Sequence, residues 1–541
     1  MFVARAVKIR KVGDRMKFSL ENLQEINRKL GSKISYDVEK LREDTIRDPK
    51  WLAFGSGNIF RAYIARIGQD LVNDAHFDRG ISVVETFDTE IIEKTYKPYD
   101  NLCLSVTLQK DGDFNTNLIA NLAESLTLDD MDRIEEIFLN DNLQIVSFTI
   151  TEKGYNLYAP NGELMDVVKA DLENDPEDSK HLMSIVTNLL YNRFEKNNKE
   201  LTLLSLDNCS ENGDKVRDSI MLIANKWNET GKVSDDFIKY LEEKVSFPLS
   251  MIDKITPRPA VEVKNYVEEL GFEDMDIVVT NKNTYTAPFV NSEESEYLVI
   301  EDNFKNGRPD FNKAGVFLTD RDTVNKVETM KVTTCLNPLH TVLATYGCVL
   351  GHTTIAEEME DEDLVKLIKK IGYDEGLKVV VNPGIINPKD FIDEVINVRF
   401  PNKFMPDTPQ RIATDTSQKI PVRFGQTIKG YMKDENLDVA DLKFIPLALA
   451  GYLRYLLGVN DEGEAFELSS DPLMDYLKES LDGISLGDFK VTEGLKALLR
   501  NEEIFGVNLE DIGLDKIVID YFKELSAGPG SVRATLKKYL G

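Results

Sequence analysis

The sequence predicts an α/β protein: a Rossmann-like N-terminal domain on a mostly parallel sheet, followed by a mainly α-helical C-terminal domain. Three observations predict it. The short apolar run Trp51–Phe54 ends in Gly55-Ser56-Gly57 and passes into a segment with apolar residues four apart, at Ile59, Tyr63, Ile67 and Leu71. Further apolar runs of strand length alternate with segments of helical period. Beyond about residue 310 the strand signal fades and the helical period takes over. The expected organisation is a polar lead-in over 1–50, a sheet domain over 51–310 and a helical domain over 311–541.

Taken in order, the lead-in carries one short helix, around SLENLQEINRKL, stopped by Gly31. After the glycine turn come four more buried-strand candidates: 81–87 (ISVVETF), 143–150 (LQIVSFTI), 201–208 (LTLLSLDN) and 276–281 (DIVVTN). Helical segments such as LDDMDRIEEIFL and DSKHLMSIVTNLLYNRF lie between several of them. In the second half TVLATYGCVLG, EDLVKLIKKIGYDEGL, DLKFIPLALAGYLRYLLG and SVRATLKKYL all repeat at the helical period.

Composition narrows the function classes. The 541 residues hold 65 Lys plus Arg against 94 Asp plus Glu, a net charge of −29. Such a balance disfavours a nucleic-acid binder, which gains affinity from surplus cations, and equally an anionic membrane as partner. The four cysteines, Cys103, Cys209, Cys335 and Cys348, are too scattered for a disulfide framework or a paired metal site. The opening residues lack the apolar run of a secretory signal, and no stretch reaches membrane-spanning length. A cytoplasmic protein with a small-molecule substrate and no bound metal is the expectation.

The glycine turn has the chemistry of a phosphate cradle. Gly55 and Gly57 allow close backbone approach, and the following helix offers free N–H groups from Asn58 onward. The third glycine of the dinucleotide fingerprint is Phe60 here. On the next strand, Glu85 and Asp88 stand where an acidic group receives ribose hydroxyls and repels a 2′-phosphate, which favours NAD over NADP.

A second constellation is Glu328-Thr-Met-Lys331-Val-Thr-Thr-Cys-Leu-Asn337-Pro338-Leu-His340. Asn337-Pro338 reads as a helix start, with Asn at the N-cap and Pro at the first helical position. Lysine, amide and imidazole near one positive helix end suit a ketone or alkoxide oxygen. The amide steadies charge on oxygen, and a desolvated lysine of lowered pKa exchanges the proton. The ordinary alternative is a capping Asn beside a surface Lys.

These residues resemble a known family, the polyol-specific long-chain dehydrogenases, which includes mannitol 2-dehydrogenase and the hexuronate reductases. The likeness runs through Tyr36-Asp37, GSGNIFRA (family GxGxFHRA), TITEKGY, LDNCSENGD, FPLSMIDKITP, YLVIEDNF, GRPDF, ETMKVTTCLNPLHTVLA and RFPNKFMPDTPQRIATDTSQKIP. The resemblance implies that Lys331 is the general acid/base, Asn337 an oxygen-positioning amide, His340 a substrate hydrogen-bonding partner and Glu328 a gate or proton relay. A second amide comes from Asn208 or Asn212. Gly55, Gly57, Asn58, Phe60, Arg61, Glu85, Asp88, Thr151 and Glu152 are the implied NAD-binding set. The resemblance also implies that Asp253 lies near substrate or cofactor and that Arg411 and Lys419 face the far end of the substrate; Arg423 joins that substrate set on charge alone. Three departures stand out: one extra residue between Lys331 and Asn337, Phe60 for the family's His, and Lys254 for its Arg.

The implied reaction is metal-independent hydride transfer between NAD(H) and a keto-uronate/aldonate pair, D-fructuronate and D-mannonate. Tagaturonate, or mannitol and other neutral polyols, are the alternative substrates. Arg411, Lys419 and Arg423 lie close together in an otherwise acidic chain, as a carboxylate substrate requires, unless they only pair with Asp407 and Asp415. Three readings compete: a short-chain dehydrogenase through Tyr240-x-x-x-Lys244, a zinc enzyme through Cys335 and His340, and a non-enzymatic nucleotide-binding protein.

Overall fold

The computed structural model describes residues 15–32 and 34–541. The first fourteen residues of the expected lead-in, and Lys33, lie outside it. The chain divides into two compact units. One runs to Val324, less Lys110–Gly112, and the other is Asn325–Gly541 with Lys110–Gly112. The division falls past the expected boundary near 310 because strand Phe317–Thr319 pairs with Tyr297–Glu301, holding that segment to the first unit.

In the first unit six strands form one sheet: β1 (Trp51–Phe54), β2 (Ile81–Glu85), β3 (Leu122–Thr127), β4 (Ile145–Phe148), β5 (Leu201–Ser205) and β6 (Val245–Ser246). Their order is β3-β2-β1-β4-β5-β6, and every neighbouring pair is parallel. This is the doubly wound dinucleotide-binding order, whose direction reverses between β1 and β4. Strands buried on both faces need continuous apolar runs, which WLAF and LTLLS supply. On one face the segment Phe60–Ile64 and helix α1 (Ala65–Asn73) bury Phe60, Tyr63, Ile67 and Leu71. The other face is covered by α2 (Met131–Leu139), α3 (Leu182–Lys196) and α4 (Asn212–Glu229).

Two expectations need correction. DIVVTN gives only Val278–Val279, paired antiparallel with Tyr285–Thr286. Asn283, at φ 59°, turns the chain back at once, and Val279 is 47% exposed. The edge strand β3 was not anticipated, because Glu124 interrupts its apolar pattern. That carboxylate is accommodated by Ser82 and Arg133. The antiparallel ribbon Cys103–Leu108/Phe114–Ile119, extended by Phe289–Glu293, was likewise unforeseen.

The second unit is helical as expected. Helix α5 (Arg321–Met330) leads into it, and α6 (Asn337–Leu350) and α7 (Phe444–Tyr455) form its centre. They pack closely at Gly451, where a Cβ would lie 2.2 Å from the Tyr346 ring, and Tyr346 donates its hydroxyl proton to the Leu447 carbonyl at 2.8 Å. Among the described residues no helix is long and apolar enough to cross a membrane.

Candidate active site

The glycine turn sits at the C-terminal end of β1, at the reversal point of the sheet. Gly55 has φ 98°, and a Cβ there would lie 2.2 Å from the Thr149 carbonyl oxygen at the end of β4. Only glycine fits that backbone. Beside Gly57 the space that a Cβ would take is open, and the chain turns helical at Asn58. An open cradle and free N–H groups fit a pyrophosphate.

The residues expected around the cradle divide into those that face it and those that build it. Phe60 is fully buried in the core beneath the turn, so its ring offers a phosphate nothing. Arg61 is also buried. It donates to the Ala287 carbonyl at 2.6 Å, Asn58 Oδ1 at 3.0 Å and Thr286 Oγ1 at 3.1 Å. Both are corrected from cofactor contacts to supports, Arg61 bracing Asn58.

Glu85 changes role too. Its carboxylate accepts from Ser56 N at 3.0 Å, Ser56 Oγ at 2.6 Å, Phe87 N at 2.9 Å and Asp88 N at 3.1 Å. Four donors fill a carboxylate's lone pairs, so Glu85 holds the turn in shape. Asp88 accepts from Thr280 Oγ1 at 2.6 Å and is buried.

Thr151, beyond the end of β4, has φ 67°, a strained value for a β-branched residue. Asp207 explains it. Its carboxylate takes the Ile150 and Thr151 N–H groups at 2.9 and 3.0 Å and the Tyr155 hydroxyl at 2.6 Å. Burial raises the Asp207 pKa. Glu152 pairs with Lys215 at 2.9 Å on the rim of a cavity of about 630 Å³ that Tyr155, Asn156 and Ser219 also line.

The two candidate amides separate. Asn212 is fully buried: its Nδ2 donates to the Asp207 and Ser250 carbonyls, each at 3.0 Å, and its Oδ1 accepts from Ser250 N at 3.0 Å. It is a structural tie. Asn208 is exposed just past β5. Asp253 ends strand Ser250–Asp253 and is 6% exposed. Lys254 beside it is buried, donating to Glu296 and the Glu293 carbonyl, each at 2.7 Å, and burial lowers its pKa.

In the second unit Lys331 opens a π turn, Lys331–Cys335, between α5 and α6. A π turn carries one residue more than an α turn, and here it accommodates the extra residue ahead of Asn337. Leu336 N bonds to Lys331 O at 3.1 Å, and Thr427 Oγ1 donates to the Thr333 carbonyl at 3.1 Å. Lys331 is 6% exposed, and Glu328 precedes it by three residues.

The expected cap is shifted. Leu336, at φ −130°, is the N-cap of α6, so Asn337 is the first helical residue and Pro338 the second. The preceding π turn displaces the cap by one residue. No side-chain cap bond is made, which leaves the Asn337 amide unspent on capping.

His340 lies on the first turn of α6, its ring against Phe400 with centroids 5.1 Å apart. Burial, reinforced by Arg423, Arg411, Arg399 and Lys419, pushes its pKa down to about 3. The imidazole is therefore neutral at pH 7, and Asp407, 3.7 Å away, is no salt-bridge partner. Four cations thus act on one neutral imidazole. Arg399, 6% exposed, was not singled out from the sequence, although it opens the same RFPNKF segment. Arg411 pairs with Asp407, Lys419 donates to the Ile412 and Thr414 carbonyls, and Arg423 donates to Thr341 Oγ1 and the Asn337 carbonyl.

The competing motif is structural. The Tyr240 hydroxyl donates to the Lys199 carbonyl and Lys244 to the Asn198 carbonyl, so both fasten the loop before β5.

Comparison with known proteins places the family. The mannitol dehydrogenase Rossmann domain profile matches residues 49–313, and the mannitol dehydrogenase C-terminal domain profile matches 323–524. The chain belongs to the mannitol dehydrogenase family. It is 50% identical to a D-mannonate oxidoreductase of Thermotoga maritima over 94% of this chain and 95% of that one. Among solved structures, a substrate-free D-sorbitol dehydrogenase superposes with TM-score 0.77 at 25% identity, covering 96% of this chain and all of the other. The Pseudomonas fluorescens mannitol 2-dehydrogenase, solved with NAD and D-mannitol, gives TM-score 0.68 at 23% identity over 97% and 99% of the two chains. At that identity it speaks for the fold of this family member.

Proposed function

We propose that the chain is an NAD-dependent oxidoreductase interconverting D-fructuronate and D-mannonate. The observation that carries the reading is the set of four cations around neutral His340 in a chain of net charge −29. A local cationic site draws a carboxylate against such a field. The half-identical D-mannonate oxidoreductase of Thermotoga maritima supports the same substrate pair. The D-sorbitol dehydrogenase, at 25% identity, supports the alternative of a neutral polyol.

Gly55, Gly57 and the N–H groups from Asn58 onward would hold the pyrophosphate of NAD, with Glu85 and Arg61 keeping that turn in shape. Thr151 and Glu152 are the residues of the β4 end assigned to the coenzyme, and Asp207 holds their backbone. The bound coenzyme supplies or accepts the hydride. In the reductive direction the Asn337 amide polarises the keto oxygen and the Lys331 ammonium delivers the proton, giving the alcohol. Glu328, one helical turn earlier, returns a proton to the lysine. His340, uncharged, exchanges hydrogen bonds with a substrate hydroxyl. Asn208 is the second amide, and Asp253, Arg411 and Lys419 complete the substrate set.

Lys331→Ala tests the mechanism. Turnover of D-fructuronate with NADH falls at least ~100-fold, the scale of a lost general acid/base, while NADH binding followed by fluorescence persists. Turnover within a few fold of wild type would move the proton transfer to another group.

A further inference from the structure

We infer that Arg423 is the residue that grips the substrate carboxylate and so sets the preference for uronates over neutral sugars. The inference rests on the keto-uronate reading and deepens it. The partners of the four cations distinguish them. Arg411 is 61% exposed and already paired with the Asp407 carboxylate. The Lys419 ammonium is taken by the carbonyls of Ile412 and Thr414. Arg399 has a partner of its own.

Arg423 differs from all three. The bonds described for it run from one nitrogen, Nη1, to neutral acceptors: the Thr341 hydroxyl and the Asn337 carbonyl, the latter at 3.4 Å. Burial alone pulls its pKa down to about 10, with no carboxylate acting against it. Arg533 shows the contrast, its pKa raised by the carboxylates of Asp361 and Asp363. A half-buried guanidinium with no carboxylate bonded to it among the described residues is costly, and an incoming carboxylate offsets that cost. The planar fork has five N–H donors and suits bidentate contact.

Its mounting is rigid. Arg423 lies in the π turn Pro421–Gly425, where a Cβ on Gly425 would come within 2.6 Å of the Phe505 carbonyl oxygen. Thr341 and Asn337 tie the guanidinium to the first turns of α6, the helix of Asn337 and His340. The grip on the carboxylate and the polarisation of the carbonyl are therefore indexed to a single helix.

The test compares D-fructuronate with D-fructose, each with NADH, in the wild-type protein, Arg423→Gln and Arg423→Lys. Arg423→Gln is expected to raise KM for fructuronate at least ~30-fold with kcat within about threefold, and to lower kcat/KM for fructose at least ~10-fold less than for fructuronate. Arg423→Lys keeps the charge but loses the fork, and recovers part of the loss. Fructuronate KM unchanged in Arg423→Gln, or equal losses on both sugars, overturns the assignment. If Arg423→Gln no longer binds NADH, Arg423→Lys decides: raised KM on fructuronate alone supports the role, and wild-type KM overturns it. A wild-type protein that prefers fructose defeats the keto-uronate reading itself, whereas a uronate preference that survives Arg423→Gln defeats only the assignment to this residue.

Discussion

Glu358 shows how much one side chain is asked to bear. It is fully buried, neither carboxyl oxygen has a hydrogen-bond partner among the described residues, and a Cβ on Gly347 would lie 1.7 Å from its Oε1. Burial, with Asp361 and Glu357 adding to it, raises its pKa well above the carboxylate range. Its folded pKa exceeds the unfolded value of 4.5, so above pH 4.5 the folded state holds the extra proton. Stability then falls as pH rises, by up to about 1.4 kcal/mol per pH unit. Glu358→Gln, which does not ionise, is expected to gain stability over wild type in urea unfolding at pH 8 relative to pH 5.5. An equal difference at both values would remove Glu358 from the account. No sequence pattern marks this residue, because burial of an acid depends on packing. Asn208 and Asn212 carry the same lesson: their spacing fits one role equally well, and only the bonds from Asn212 to Ser250 set them apart.

At the scale of elements, two tight backbone features place the chemistry. The β1 turn depends on Gly55, since Ala there meets the Thr149 carbonyl at 2.2 Å with a φ that L-residues avoid. Gly55→Ala is expected to weaken NADH binding at least ~10-fold in a fluorescence titration, on the scale of one to two kcal/mol for displaced backbone. Unaltered affinity would show that the cradle does not need this approach. The strand–glycine–helix unit was legible because the apolar run, the turn and the helical period are all local. The π turn at Lys331–Cys335 was legible only as one surplus residue, since its closing bond and the Thr427 support are not encoded in spacing. Asn337 was accordingly placed one position too early, at the cap. Glu85 was correctly found at the strand end, yet its donors from Ser56, Phe87 and Asp88 come from chain folding back on it.

For the whole molecule, the division of labour was readable, with the two family profiles meeting between residues 313 and 323, near the expected boundary. Alternation of strands and helices predicts the parallel sheet, and loss of that alternation predicts the helical unit. The strand Phe317–Thr319 moves the division, because pairing with Tyr297–Glu301 outweighs local composition. The cationic site needed tertiary structure: Arg411, Lys419 and Arg423 are neighbours in sequence, and folding adds Arg399 and centres the group on His340. In a chain of net charge −29, four cations acting on one imidazole are the feature on which the proposal of an anionic substrate rests. The direct measurement is kcat/KM at pH 7, with NADH, for D-fructuronate, D-tagaturonate and D-fructose side by side. The account predicts D-fructuronate first, at least ~100-fold above neutral D-fructose, the scale of a charge-assisted bidentate contact. D-fructose turned over as well as or better than D-fructuronate would contradict it.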